Sequence, residues 1–413
     1  MTVSTELKKQ PSAFIRWLAL ILISLAMFGN YYIYDSISPL ADLLKEQLGF
    51  SDSNIGLLNA IYSFPNIIMV LIGGLIIDRI GTRKSVFIFT ILIMLGAVVT
   101  ALKGDLVTMA AGRLIFGLGA ESMIVAITTI VARWFKGKEL SFAFGINLTV
   151  ARLGSFLALN SPTIAKSLFD DWQKPLIITV AAGVFAVICI IFYYVLDAYA
   201  SKKYEMPKDG SQDKIEFKEI FRFGVSFWYI TALCVTFYSA MFPFQTFAIK
   251  FFQEAHGTSR EVGGNLSSIL TLAAMIFTPL FGLLSDKIGK RSLLMMLGSL
   301  AIIPVYLIMA YKVDLASIVG LQGGIHLNIP FFGIEDSIIP YYLIFPMAMM
   351  GFAFSLIPAV MWPSVALVVK EEKLGTAYGL MTMIQNIGLF LFNIMIGWAN
   401  DFSGASAENP TGY

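Results

Sequence analysis

Charge is what this sequence has least of. Charged residues make up 14% of its 413 residues and hydrophobic ones 57%, whereas a soluble domain carries roughly 25% charged residues. With a mean hydropathy of +0.77, the chain reads as a polytopic, all-α membrane protein rather than a soluble domain. Cysteine is scarce too. Cys189 and Cys234 both fall inside apolar runs, so no disulfide framework is implied. The two histidines, His256 and His326, lie near a span end or in a loop, which leaves no histidine relay within the membrane. The patterns G-x-S-x-G, H-E-x-x-H and G-x-x-x-x-G-K-[ST] are all missing. An enzyme or a nucleotide-driven pump is therefore not expected, and no cofactor or metal is implied. A formal net charge of +2 gives no footing for nucleic acid. The first apolar run is too long for a cleavable signal peptide.

What is present is a series of apolar runs, each long enough for a bilayer. We read eleven spans, at 14–38, 53–77, 85–103, 106–132, 139–165, 174–198, 224–252, 262–285, 292–312, 338–369 and 374–400. Lys and Arg set their direction. With the N-terminus inside, the outer segments hold only Lys45, Lys103, Lys166, Lys174, Lys250, Arg260 and Lys312. The inner ones hold far more, among them Lys8, Lys9, Arg16, Arg79, Arg83, Lys84, Arg133, Lys136, Lys138, Lys287, Lys290 and Arg291, a positive-inside bias. A polar inner stretch, 199–223, divides the chain into an N-terminal half (1–198) and a C-terminal half (224–413). Its later part, from Lys214 to Phe223, has the pattern of a short amphipathic surface helix. The outer connection 313–337 contains IHLNIPFFGIE, which reads as a small strand or a re-entrant element.

Two charges sit where charges are costly. Glu121 is in the middle of the fourth span and Arg152 in the middle of the fifth. Counted from Gly137 in the turn between the spans, Glu121 is 16 residues back and Arg152 is 15 on. Both therefore lie roughly 22–24 Å from that turn, near mid-membrane depth. Intramembrane ionisable groups face a protein interior or a wet cavity and mark function by default. An acid and a base at one depth could hold a ligand that carries both charges. The alternative is that they pair with each other and fasten two helices, a weak gain once desolvation is counted.

The halves also echo each other. GGLIIDRIGTRK closes the second span and FGLLSDKIGKRS the eighth. Gly74, Asp78, Gly81 and Arg83 recur as Gly282, Asp286, Gly289 and Arg291, each 208 residues later. Repeated halves around a midplane site are the plan of secondary transporters. The loop G-x-x-x-D-R-x-G-x-R-K, with its echo, resembles the signature loop of the major facilitator superfamily, and GRLIFGLG (112–119) is similar to its Arg-containing motif. The resemblance implies the major facilitator fold, an architectural role for Arg113, and gating roles for Asp78, Arg79, Arg83, Asp286, Lys287 and Arg291. Narrower stretches, among them YYIYDS, AIYSFPN, GAES, WFKGKEL, FGINLTVARLGS, FYSAMFPF and MWPSVALVV, resemble the branch formed by lysosomal dipeptide uniporters and their bacterial relatives. By that resemblance, Glu121 in GAES and Arg152 in VARLGS hold the two ends of a peptide.

The sequence also departs from the family's patterns. It ends in the polar ANDFSGASAENPTGY, so the twelfth helix of the family is expected to be absent. The Gly-Pro motif of antiporters and the Glu-x-x-Glu-Arg motif of proton-coupled peptide symporters are missing. No acidic dileucine signal or outer-loop glycosylation acceptor is found, which favours a bacterial inner membrane over a lysosomal one. Tyr34, Tyr62, Tyr238, Trp362 and Asn386 join the candidate binding residues, weighed against packing or interfacial roles. Asp35 closes the first span with Tyr34. Pro65, Pro243, Pro279 and Pro363 are expected to loosen helices, and Gly145, Gly154 and Ser155 to allow close packing. The expectation is a dipeptide uniporter working by alternating access. The alternatives are a proton symporter of peptides or other small zwitterionic or anionic solutes, and a non-transporting receptor or scaffold. The partners expected are a small-molecule substrate and the lipid bilayer. A single-span accessory subunit is compatible with this architecture, but the sequence does not specify one.

Overall fold

The computed structural model describes residues 11–135, 139–204, 223–329, 334–370 and 373–413. Within them run eleven long helices: α1 Ala13–Asp35, α2 Asp52–Ile80, α3 Thr82–Leu102, α4 Leu106–Trp134, α5 Leu140–Leu159, α6 Gln173–Lys203, α7 Val225–His256, α8 Arg260–Ile288, α9 Arg291–Ala310, α10 Tyr341–Val368 and α11 Leu374–Ser403. Ten spans among the described residues are long and apolar enough to cross a membrane. Counting α2, which bends by 53° between Asp52–Val70 and Ile72–Ile80, brings them to eleven.

The expected spans match these helices to within a few residues, with three corrections. Helix α6 runs on to Lys203, because a helix need not stop where its apolar stretch does, so the inner connection begins later than residue 199. The rest of that connection, 205–222, and with it nearly all of the expected amphipathic helix, lies outside the described residues. Helix α5 stops at Leu159, and Pro162 belongs to a separate short helix, Ser161–Ile164. Proline favours the first turn of a helix, where its missing N–H costs nothing. Residues 338–340 belong to a strand rather than to the tenth span. That strand, β2 (Ile334–Pro340), pairs antiparallel with β1 (Gly324–Ile329), which resolves the outer connection as a hairpin.

The internal repeat is visible in the packing. Helix α1 packs on α5, α2 on α4, and α3 on α4; the second half repeats this with α7 on α11, α8 on α10, and α9 on α10. Helix α6 closes the first half against α1 and α3. Among the described residues, no long helix takes the corresponding place against α7 and α9. Each half has its own buried core, one built around Phe89, Phe116 and Tyr193 and the other around Phe227, Phe252 and Met350. Two separately packed bodies can move against each other without opening either core.

The halves meet tightly at the outer end. Helix α2 lies on α11 and α5 on α8. Gly397 makes the first contact possible, since a Cβ there would lie 2.4 Å from the Asp52 carbonyl oxygen. Among the described residues, four ion pairs cross between the halves: Asp42–Arg260 at 2.6 Å, Asp52–Lys250 at 2.7 Å, Lys166–Glu261 at 3.1 Å and Lys45–Glu254 at 3.6 Å. The Asp401 carboxylate of α11 accepts from the backbone N–H groups of Asp52 and Ser53 at 2.9 and 2.8 Å. It thus caps α2 from the other half, where a carboxylate suits the helix dipole. Tyr413 turns back onto this cluster and accepts a hydrogen bond from Lys250 at 2.8 Å while donating to Glu254. Burial, followed by the nearby Glu254 carboxylate, holds its phenol well above the usual range.

Candidate substrate-binding site

Glu121 and Arg152 line one cavity at the junction of the halves. Its empty volume, part of it open to solvent, is roughly 460 Å³ among Asn30, Tyr31 and Tyr34 of α1, Tyr62 of α2, Phe116, Glu121 and Ile124 of α4, Arg152 of α5, Phe242 of α7, and Gln385 and Leu389 of α11. The two charges do not pair. Among the described residues, Glu121 accepts a hydrogen bond from the Tyr62 hydroxyl at 2.9 Å and forms no ion pair. The Arg152 guanidinium lies over the rings of Tyr31 (5.3 Å) and Phe354 (5.6 Å), the latter in the opposite half. No hydrogen bond of its own is found among the described residues, so its forked donors are available to a ligand. The reading of a structural clamp between α4 and α5 does not describe this geometry.

Arg113, about two turns before Glu121 on α4, braces the cavity residues Tyr34 and Tyr62. It is 1% exposed and donates to the carbonyls of Leu58, Ile33 and Tyr34 and to the Asn59 side chain, at 3.1–3.2 Å. A guanidinium satisfied by four acceptors ties the end of α1 to α2. It also lies 6.0 and 5.8 Å from the ring centroids of Tyr34 and Tyr62, which pack edge to face 4.9 Å apart. Asp35, buried at the end of α1, borders a smaller cavity between Tyr34 and Gln245.

Arg152 also lines a second chamber, of roughly 830 Å³, between α5, α7, α8 and α10. Tyr238 and Trp362 are found here and not beside Glu121, with the Trp362 indole donating to the Tyr238 hydroxyl at 2.9 Å. Gly145 opens onto this chamber, and a Cβ there would meet nothing within 4 Å, so its expected role in close packing is corrected. Gly154 does allow such packing: a Cβ there would lie 2.2 Å from the Phe28 carbonyl oxygen. Ser155 is fully buried. Asn386 is 1% exposed and donates to the Thr382 carbonyl at 3.0 Å. Its neighbour Gln385 lines the cavity instead, accepting from the Cys234 thiol at 3.4 Å. Sequence reasoning missed Tyr31, Phe242, Phe354 and Gln385. Three of these fall in or next to stretches it had marked, but a run of aromatics does not reveal which ring faces inward.

The inner-loop residues are not brought to the cavity. Asp78, Arg79 and Lys287 are exposed, and Asp286 accepts from Arg291 at 2.8 Å. Arg83 lies 3.7 Å from Asp197, which also pairs with Arg133. This buried acid of α6 was not singled out from the sequence. The outer end is closed, and the second chamber lies toward the inner end from Arg152.

The family model described as Major Facilitator Superfamily matches residues 23–393. The human lysosomal dipeptide transporter MFSD1 is 32% identical over 402 residues, covering 94% of this chain and 81% of that protein. Among solved structures, a point mutant of the nucleoside transporter NupG aligns with a TM-score of 0.74 at 14% identity, covering 95% of this chain and 94% of the other. A bacterial homologue of the human lysosomal transporter Spinster, inward-facing and unoccupied, aligns with a TM-score of 0.70 at 17% identity, covering 96% and 85%. At such identities the two structures speak for the fold alone.

Proposed function

We propose, on the premise that the chain belongs to the Major Facilitator Superfamily, that it carries dipeptides across its membrane as a uniporter. Membership makes it a multi-pass membrane transporter and not an enzyme. The observation that carries the finer reading is that Glu121 and Arg152 line one cavity without pairing. An extended dipeptide spans roughly 7 Å between its charged ends. Glu121, held by Tyr62, binds the ammonium. Arg152 takes the carboxylate through a bidentate, charge-assisted pair. Side-chain selectivity is then broad, because the termini supply most of the recognition. The similarity to MFSD1, described as a lysosomal dipeptide transporter, supports the same substrate class. The membrane we assign is a bacterial inner membrane.

Transport follows from the two packed halves rocking about this site. The outer ion pairs close one face, and the inner loops at Asp78 and Asp286 favour closure of the other. A scaffold would have no use for two unpaired charges in a cavity, which supports a transport cycle over a non-transporting role. One observation favours proton-coupled symport as a second reading. Among the described residues Glu121 has no cationic partner, and an unpaired carboxylate in a cavity can exchange a proton. Liposomes containing the protein decide between them. A uniporter brings dipeptide to equal concentrations inside and out, with no further accumulation under an inward proton gradient. Uphill accumulation abolished by an uncoupler makes it a symporter, and no dipeptide movement at all refutes both.

A further inference from the structure

We infer that the second chamber is a subsite for the side chain of the substrate's C-terminal residue, and that it takes large apolar or aromatic side chains. The inference rests on the assignment of Glu121 and Arg152 to the two ends of a peptide. Arg152 lines both the cavity that holds Glu121 and the larger chamber of roughly 830 Å³. On α5, Gly145, Leu148, Thr149 and Arg152 all border this chamber at the spacing of one helix face. It therefore extends about 10 Å from Arg152 toward the inner end. In a peptide the C-terminal side chain branches from the carbon bonded to the carboxylate. A carboxylate held on Arg152 therefore puts that side chain at the mouth of this chamber. The N-terminal side chain branches beside the ammonium and stays in the narrower cavity walled by Tyr31, Tyr34 and Tyr62.

The lining sets the chemistry. Among the described residues, Arg152 is the only charged side chain that borders the chamber; Thr149, Thr278 and Tyr238 add hydroxyls, and the rest of the lining, with Met275, Phe354, Pro358 and Trp362 its largest members, is apolar. The Tyr238 hydroxyl already accepts from the Trp362 indole. Tyr378 donates to the Trp362 carbonyl at 3.1 Å, which holds the tryptophan in place. A large apolar side chain gains by leaving water for such a surface. A lysine or arginine side chain finds no carboxylate in this lining and is repelled by Arg152. The two positions of a dipeptide are therefore not equivalent, and the second tolerates bulk better than the first.

Calorimetry on the purified full chain with Ala–Ala, Ala–Phe and Phe–Ala tests this. The wild type should bind Ala–Phe about tenfold more tightly than Phe–Ala, the scale at which an apolar pocket discriminates. The variant Gly145→Leu fills the chamber. The open space at Gly145 and the better helix propensity of leucine favour its folding. It should weaken Ala–Phe binding about tenfold while Ala–Ala keeps its affinity within a few-fold. Positional isomers that bind alike, or a variant that affects all three peptides equally or not at all, would overturn the subsite. Failure of Ala–Ala itself to bind the wild type would instead refute the reading of the two charges, and the subsite with it.

Discussion

The outer closure offers a perturbation whose size follows from the geometry. The Lys250 side chain is fully buried and bonds both Asp52 oxygens at 2.7 Å, with Tyr413 at 2.8 Å and Glu254 at 3.3 Å. The Lys250–Asp52 contact crosses the halves and exists only while the outer end is shut. Removing one partner of a buried pair costs about 3–5 kcal/mol, because the other charge stays buried and uncompensated. In Asp52→Asn the ammonium keeps Glu254, so we take about half, roughly 2 kcal/mol. That cost falls on the outwardly closed state alone and shifts the balance toward the outward-open one by about 30-fold. Ser38 reports on the change. It is 5% exposed and bonds the Gln245 carbonyl across the junction at 2.7 Å. In Ser38→Cys, an impermeant maleimide added outside should label slowly, and tenfold or more faster once Asp52→Asn is added. The native thiols, Cys189 and Cys234, are buried and should not compete. Replacing both charges, as Asp52→Leu with Lys250→Met, removes the uncompensated ion and should return labelling toward the starting rate. Labelling that is unchanged in Asp52→Asn would refute the idea that this pair holds the outer face shut.

Three further outcomes follow. Arg152→Lys keeps the charge but loses the planar fork, and should weaken dipeptide binding by ~1.5–3 kcal/mol in calorimetry; unaltered affinity removes Arg152 from the site. Tyr62→Phe deletes the 2.9 Å bond to Glu121 and should cost ~0.5–1.5 kcal/mol of affinity with folding intact, as judged by thermal unfolding. Asp78→Asn and Asp286→Asn should slow uptake while equilibrium affinity stays within a few-fold; parallel loss of both would move these acids into the substrate site.

The fold was legible wherever membrane physics dominates. Span lengths, the repeat of Asp78 in Asp286 and the depth of Glu121 and Arg152 all follow from hydrophobicity and spacing. What local sequence could not carry is contact between distant segments. Lys250 looked like one more outer lysine, yet its partner Asp52 lies at the start of α2. Asp401, in a polar tail, caps a helix of the other half. The hairpin β1–β2 was ambiguous because six or seven residues of mixed polarity fit a small strand or a re-entrant element equally well. Tyr238 and Trp362 were grouped with Glu121 by residue type, and the packing separates them into another chamber. Asn386 was named and Gln385 was not, and adjacent residues on a helix face different ways.

Recognition rests above all on the two intramembrane charges holding the two ends of a peptide. Calorimetry with free Ala–Ala, its N-acetylated form and its C-terminal amide tests that claim on the wild-type protein. Each block removes one charge and leaves the rest of the ligand nearly unchanged. Each blocked form should bind at least tenfold more weakly, the scale of one charged hydrogen-bonded contact. Blocked and free forms binding alike would contradict it.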